Sequence, residues 1–264
     1  MKLPLGLDFV RQTLLWQKLR DWRYLRDHRP RCDFYRQFIP PGALVFDIGA
    51  NVGHYALIFH HLQARIVAIE PQAQLADGLR RRFAGWKDLT IVQTALGAAP
   101  ATATLHKAPG QSEIASLRPD VSERSRFSSL YQADAVETVP VTTLDAIIRQ
   151  HGRPDFCKID VEGFESEVLS GLGQSVPLLS FEVNREYWEV AARCLQQLSR
   201  LGDYRFNYAL GEATTLGSPV WLSAEALARE LTAHPDPLLW GDIYARLAPE
   251  PGKEASTRAA APAP

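Results

Sequence analysis

Cysteine is scarce in this chain of 264 residues: only Cys32, Cys157 and Cys194, odd in number and far apart. Such a set builds no disulfide framework, has no metal-ligand spacing and suits a reducing compartment. No stretch approaches the roughly 18 consecutive apolar residues of a membrane span. Net charge is also lacking, since 29 Lys and Arg stand against 30 Asp and Glu. That balance speaks against broad nucleic-acid binding. Near the start, Asp8 and Arg11 interrupt any apolar run, so no signal peptide is read there and the cytoplasm is the expected location. His60 and His61 are adjacent and so point apart, which denies them the joint chelation of an i, i+4 pair.

What is present begins with Val45-Phe46-Asp47-Ile48-Gly49-Ala50-Asn51-Val52-Gly53: an apolar strand, an acid, a glycine-rich turn and then a helical pattern. Glycines there let the backbone approach a ligand that any Cβ would strike. A dinucleotide site would read G-x-G-x-x-G. Here Asn51 and His54 stand at its second and third glycine positions. Asp47 would also repel a pyrophosphate, whereas it attracts the ammonium and sulfonium of S-adenosyl-L-methionine. Val67-Ala68-Ile69-Glu70-Pro71 repeats the theme, with Glu70 lying 23 residues after Asp47. An acid at the end of a second strand can accept both ribose hydroxyls of an adenosine. The pair favours a methyltransferase over an NAD-type oxidoreductase. The plain structural alternative is two acids that cap helices.

The pattern beyond is strand and helix in turn. Leu75, Leu79, Phe83 and Trp86 form a helical stripe, and Leu89 to Leu96 reads as a third strand, completing a right-handed βαβαβ half. Residues 97–135 break the rhythm. Gln111 to Asp134 holds six serines without apolar periodicity and reads as a long loop, either a lid over a substrate or a surface insertion. Thr143 can cap a short helix ending near Gly152. A second acid-rich motif follows, Lys158-Ile159-Asp160-Val161-Glu162-Gly163-Phe164-Glu165, in which Lys158 and Asp160 share one strand face. A lysine in so apolar a strand needs a partner, and the pair is either a structural ion pair or part of a site. Strand Leu178 to Asn184 carries Glu182 at the same sheet edge, Trp188 to Leu201 reads as a helix, and Tyr204 to Leu210 with Asp242 to Leu247 suit a final strand pair.

The ends differ from the middle. Residues 1–36 carry nine Lys or Arg against four Asp. With Leu15, Leu19 and Trp22 at helical spacing, this arm is either docked on the main domain or rests weakly on a membrane surface or polyanion. Residues 249–264, rich in Ala and Pro, are expected to be disordered. The organisation read from this is a basic helical arm over 1–39, a catalytic domain over 40–248 and the tail.

The stretches VFDIGANVGHYAL, AIEP, TALG, VTTLD, KIDVEGFESEVLSG and SFEVN, in that order, make the chain resemble FkbM-type methyltransferases over roughly residues 40–250. The resemblance implies the Rossmann-like class I α/β fold, a seven-stranded mostly parallel sheet with its last strand antiparallel and helices on both faces. It implies S-adenosyl-L-methionine as cofactor and O-methylation of a hydroxyl on a sugar, polysaccharide or natural product. Carried over, Asp47, Gly49, Asn51 and Gly53 form the loop at the cofactor's methionine end, Glu70 holds its ribose, and Ala95 of TALG adds to the cofactor site. Asp160 and Glu162 face the reacting centre. An alcohol needs an acceptor for its proton, and Asp160 is the expected base, with Glu162 or Glu182 orienting the hydroxyl. A divalent metal held by these acids is the other route; no metal is expected, because Lys158 already supplies a positive charge beside Asp160. A catalytically silent binding module of the same fold is the remaining alternative.

Overall fold

The computed structural model describes residues 14–249 except Pro109, Pro119, 125–127 and 133–134. Two helices lead, α1 (Leu14–Asp27) and α2 (Arg29–Arg36). Then come β1 (Leu44–Ile48), α3 (His54–His61), β2 (Arg65–Ile69), α4 (Ala73–Arg82), β3 (Leu89–Val92), β4 (Ala95–Leu96), β5 (Ala101–Ala108) and β6 (Gln111–Ser116). They are followed by the short α5 (Val121–Arg124), β7 (Val136–Thr142), α6 (Leu144–His151), β8 (Phe156–Ile159), α7 (Glu165–Ser170), β9 (Leu178–Asn184), α8 (Trp188–Leu201), β10 (Tyr204–Leu210), α9 (Ala224–Ala233) and β11 (Trp240–Leu247).

Seven strands form the main sheet in the order β10-β11-β9-β8-β1-β2-β3. Every neighbour pair is parallel except those made by β11, which runs antiparallel to both β9 and β10. The fold is thus the Rossmann-like α/β arrangement expected, with its last strand antiparallel. Side-chain alternation along each strand sorts residues between two cores. On β1, Leu44, Phe46 and Ile48 enter the core shared with α6, α7, α8 and α9, while Val45 enters the core under α2, α3 and α4. On β8, Cys157 and Ile159 join the first and Phe156 the second. By the same period Asp47, Lys158, Asp160, Glu182 and Asp242 belong to the second face. A polar strip therefore crosses the sheet beneath α2 and α3. No helix among the described residues is long and apolar enough to cross a membrane.

Three expectations change. The strand expected over Leu89 to Leu96 splits: β3 stays in the main sheet and β4 joins a four-stranded sheet, β4-β7-β5-β6. Thr94 marks the break, its hydroxyl bonding to the carbonyls of Ala95 and Pro140. The long loop expected from Gln111 contains the edge strand β6, paired to β5. Main-chain pairing at a sheet edge needs no apolar alternation, so none is visible in the sequence. In the arm, Leu19 and Trp22 are 43% and 56% exposed, and the side chain of Leu15 lies outside the described residues. The helix docks instead through the Asp21 ion pair with Arg82, the Tyr24 ring on His54, and Leu25, which with Tyr24 packs against the second core. The expected disordered tail, Pro249 aside, lies outside the described residues.

Candidate active site

A cavity of about 250 Å³ opens at the carboxyl ends of β1, β2 and β8. Gly49, Asn51, Glu70, Ala95, Asp160 and Glu162 are among its walls. Open α/β sheets bind ligands at this edge, where strand order reverses about β1. Gly49 sits at φ 83°, and a Cβ there would lie 1.8 Å from the Asp160 carbonyl oxygen. The glycine is what lets the end of β1 rest on the end of β8. Gly53, at φ 82°, serves packing: its Cβ would strike Phe83 and Leu79 at 2.5 and 2.7 Å.

Glu70 joins the two strand ends. Its carboxylate accepts the Asn51 backbone N–H at 2.9 Å and that of Gln72 at 2.8 Å. Asn51 itself holds φ 49°, a left-handed conformation that asparagine tolerates better than most side chains. Burial lifts the Glu70 carboxyl to about 7, against which the two N–H bonds pull it down. Asp47 is placed differently. It is 1% exposed and stands beneath the glycine loop, not in the cavity wall, where it accepts the backbone N–H of Ala56 in α3. Burial raises its carboxyl to about 7 despite the nearby Lys158 ammonium. Gly53 also stands outside the wall.

The acids assigned to chemistry do meet. Carboxylate oxygens of Asp160, Glu162 and Glu182 all lie within 4.8 Å of one another. Lys158, 1% exposed, donates to Asp160 at 2.7 Å, stands 4.2 Å from the centroid of the Tyr55 ring and lies 4.0 Å from Asp242. Burial alone would strip its proton, but Asp160, Tyr55 and Asp242 together hold its pKa above the ordinary lysine value. Burial pushes the Glu182 carboxyl well up, and the negative charges of Glu162, Asp160 and Glu165 push it further.

Several contributors were given no role from the sequence. Glu165 shapes the acid turn by accepting the N–H groups of Gly163 and Val161 at 3.0 and 3.3 Å. Ser116 donates to the Glu162 carbonyl at 2.7 Å, and Arg118 reaches the Gly163 carbonyl at 3.4 Å. Both belong to the small sheet and the segment after it, whose Leu105, Ala115 and Leu117 also line the cavity. The residues expected to be loop thus close one side of the site. Tyr131 is close enough to Glu162 and Glu182 to feel their charge. A second, smaller cavity of about 70 Å³ lies on the polar face, between α2 and the ends of β10 and β11. It shares Tyr55 and Asp160 with the first and adds Arg31, Tyr35, Glu182 and Trp240.

A family description, the methyltransferase FkbM domain, matches residues 47–213, more than half of the chain. Methyltransferase sdnD of Sordaria araneosa is 26% identical over 181 residues, covering 57% of this chain and 68% of that one. Among solved structures, precorrin-6y C5,15-methyltransferase of Geobacter metallireducens aligns over 81% of this chain and 85% of its own, at TM-score 0.42 and 12% identity. Fibrillarin of Aeropyrum pernix, with natively bound S-adenosyl-L-methionine, aligns over 79% and 68%, at 0.40 and 12%. Scores this low bear no weight on chemistry, which rests on the family match. The chain belongs to the FkbM family and is an S-adenosylmethionine-dependent methyltransferase.

Proposed function

We propose that the protein is an O-methyltransferase acting on a hydroxyl of a sugar, polysaccharide or natural product. The observation that carries this is the convergence of Asp160, Glu162 and Glu182 where the two cavities meet. S-adenosyl-L-methionine supplies an electrophilic methyl group. The lining of the larger cavity suits it: Glu70 would accept from the ribose, Gly49 and Asn51 would turn around the amino-acid end, and Ala95, Leu117 and Phe164 would offer an apolar wall to the adenine. The acceptor would enter the smaller cavity, where a carboxylate would take the hydroxyl proton as the oxygen–methyl bond forms and the sulfur–methyl bond breaks, leaving S-adenosylhomocysteine as the thioether. Asp160 is the base; Glu162 and Glu182 orient the hydroxyl. Asp47 and Gly53 contribute from behind the loop. We place the catalytic unit over residues 40–248, acting on small molecules or glycans in the cytoplasm and not on nucleic acid. Family membership sets aside the oxidoreductase reading. Mass spectrometry of candidate hydroxylated acceptors incubated with enzyme and cofactor tests the proposal: one added methyl on oxygen is expected. Methylation at carbon or nitrogen would sink it, and no transfer to any acceptor would favour the silent module.

Glu70 gives a pH test. In the folded, unliganded chain it holds its proton up to about 7, whereas an unfolded glutamate loses it near 4.5. Between these values the unfolded state binds fewer protons, so this group makes stability fall as pH rises and level off above about 7. Ribose hydroxyls donate best to the ionised carboxylate. S-adenosylhomocysteine affinity should therefore climb up to about tenfold from pH 6 to pH 8, following the ionised fraction. Calorimetry across that range checks this, and Glu70→Gln should flatten the curve. An equal slope in Glu70→Gln would assign the titration elsewhere.

Metal is the second test. The three carboxylates are close enough to hold a divalent ion. Lys158 already places a cation on Asp160. Activity is expected to survive exhaustive EDTA treatment. Loss restored by added Mg²⁺ would make Asp160 a ligand and remove it as base.

A further inference from the structure

We propose that helix α1 is a clasp that sets the cofactor loop, with Asp21, Tyr24 and Arg82 as positioning residues for methyl transfer. This rests on the larger cavity being the cofactor's, as Glu70 and the glycine loop indicate. Gly49, Asn51 and Gly53 all hold left-handed backbone, at φ 83°, 49° and 82°. The loop's main chain is tied at the ends, where the Gly49 and Ala50 N–H groups donate to the Ile69 carbonyl and the Gly53 N–H to that of Ala50, and between those points side chains around it set its shape. From within, Glu70 holds the Asn51 N–H. From outside, Arg82 donates to the Val52 carbonyl at 2.7 Å with one arm of its guanidinium. Its other arm donates to Asp21 of α1 at 2.8 Å. Both partners are well covered, with side chains 15% and 16% exposed, so the pair is shielded from the screening that weakens surface ion pairs. Asp21 thereby orients the group that grips the loop.

Tyr24, one turn further along α1, makes a second grip. Its ring stacks on that of His54, centroids 4.7 Å apart and planes 13° apart. On its other flank His28 stacks at 4.0 Å and bonds through Nδ1 to the Tyr24 carbonyl at 2.9 Å. His54 is a wall residue of the cavity and the first residue of α3. His54 is thus held directly by α1, and Val52 is held through Arg82, which α1 orients. That helix lies outside residues 47–213, the span that the family description covers. Asp21 and Tyr24, at i and i+3, share one face of α1.

The test uses the full chain with Asp21→Asn and Tyr24→Leu, and Arg26→Gln on the opposite, exposed face as control. Calorimetry with S-adenosylhomocysteine should show affinity about three- to tenfold weaker in the first two, the loss of one hydrogen-bonded or stacked support, and unchanged in the third. Hydrogen exchange separates positioning from plain stability. Amides of Asn51, Val52 and His54 should exchange faster in Asp21→Asn and Tyr24→Leu, while those of Phe46 and Cys157 in β1 and β8 keep their protection. Unchanged affinity overturns the clasp, and so does weakened affinity with equal loss of protection at Phe46 and Cys157. Glu70→Ala in the same assay reports on the cavity: a response there beside silence at Asp21 and Tyr24 overturns the clasp alone.

Discussion

Asp160→Asn is expected to lower kcat by about 10²–10⁴ while leaving S-adenosylhomocysteine affinity nearly unchanged. The amide keeps the size of the side chain but takes no proton from the acceptor. The same change removes the closest anion from Lys158, whose ammonium is bonded to it at 2.7 Å. A buried ammonium left without any partner would cost about 3–5 kcal/mol. Here Asp242 at 4.0 Å and the Tyr55 ring at 4.2 Å remain to share the charge, so the stability loss should fall below that range. Turnover and chemical denaturation of one purified variant read both quantities. A stable variant with near-normal turnover would take Asp160 out of the mechanism, and an unfolded one would make it a structural counter-ion.

Gly49→Ala is the change with the largest expected effect on the molecule itself. Two costs add. A side chain at left-handed φ costs about 1–2 kcal/mol, and forcing a methyl into a filled space about 1–3 more. The obstacle is a main-chain oxygen, that of Asp160, which cannot swing aside as a side chain can. We expect the free energy of unfolding to drop by about 2–5 kcal/mol, read by urea titration, and methyl transfer to fall as the end of β8 is pushed from its place. Wild-type stability in this variant would mean that β1 and β8 do not meet as described.

Much of this was legible in the sequence because strands announce themselves by apolar runs and acids at their ends. Asp47, Glu70, Asp160 and Glu182 were each found that way, and the pairing of Lys158 with Asp160 followed from the cost of a lone buried ammonium. The depth of Asp47 was harder to see. A strand-end acid reads the same whether it faces the ligand or lies beneath the loop, and only its register beside Lys158 and its bond to Ala56 distinguish the two. Strand β6 of the small sheet was missed because an edge strand is held by main-chain bonds that leave no periodic trace. The inward stripe of α1 was missed for the opposite reason. Apolar spacing pointed to Leu19 and Trp22, whereas the face that docks carries an ion pair, a stacked tyrosine and Leu25. The second cavity draws on α2, β10 and β11 together, a meeting that no local pattern encodes.

The place of β11 has a consequence for how the chain is made. It lies between β9 and β10 yet follows both in sequence, and β10 has no other strand beside it in the main sheet. Until residues 240–247 are added, the edges of β9 and β10 that β11 will fill stand open, and open edges invite pairing with other chains. Only when Trp240–Leu247 emerge can one strand slide into the gap and close both rows of bonds at once. A fragment cut to the family span of residues 47–213 would keep that gap permanently. Its expected fate is aggregation, whatever the state of the cofactor cavity.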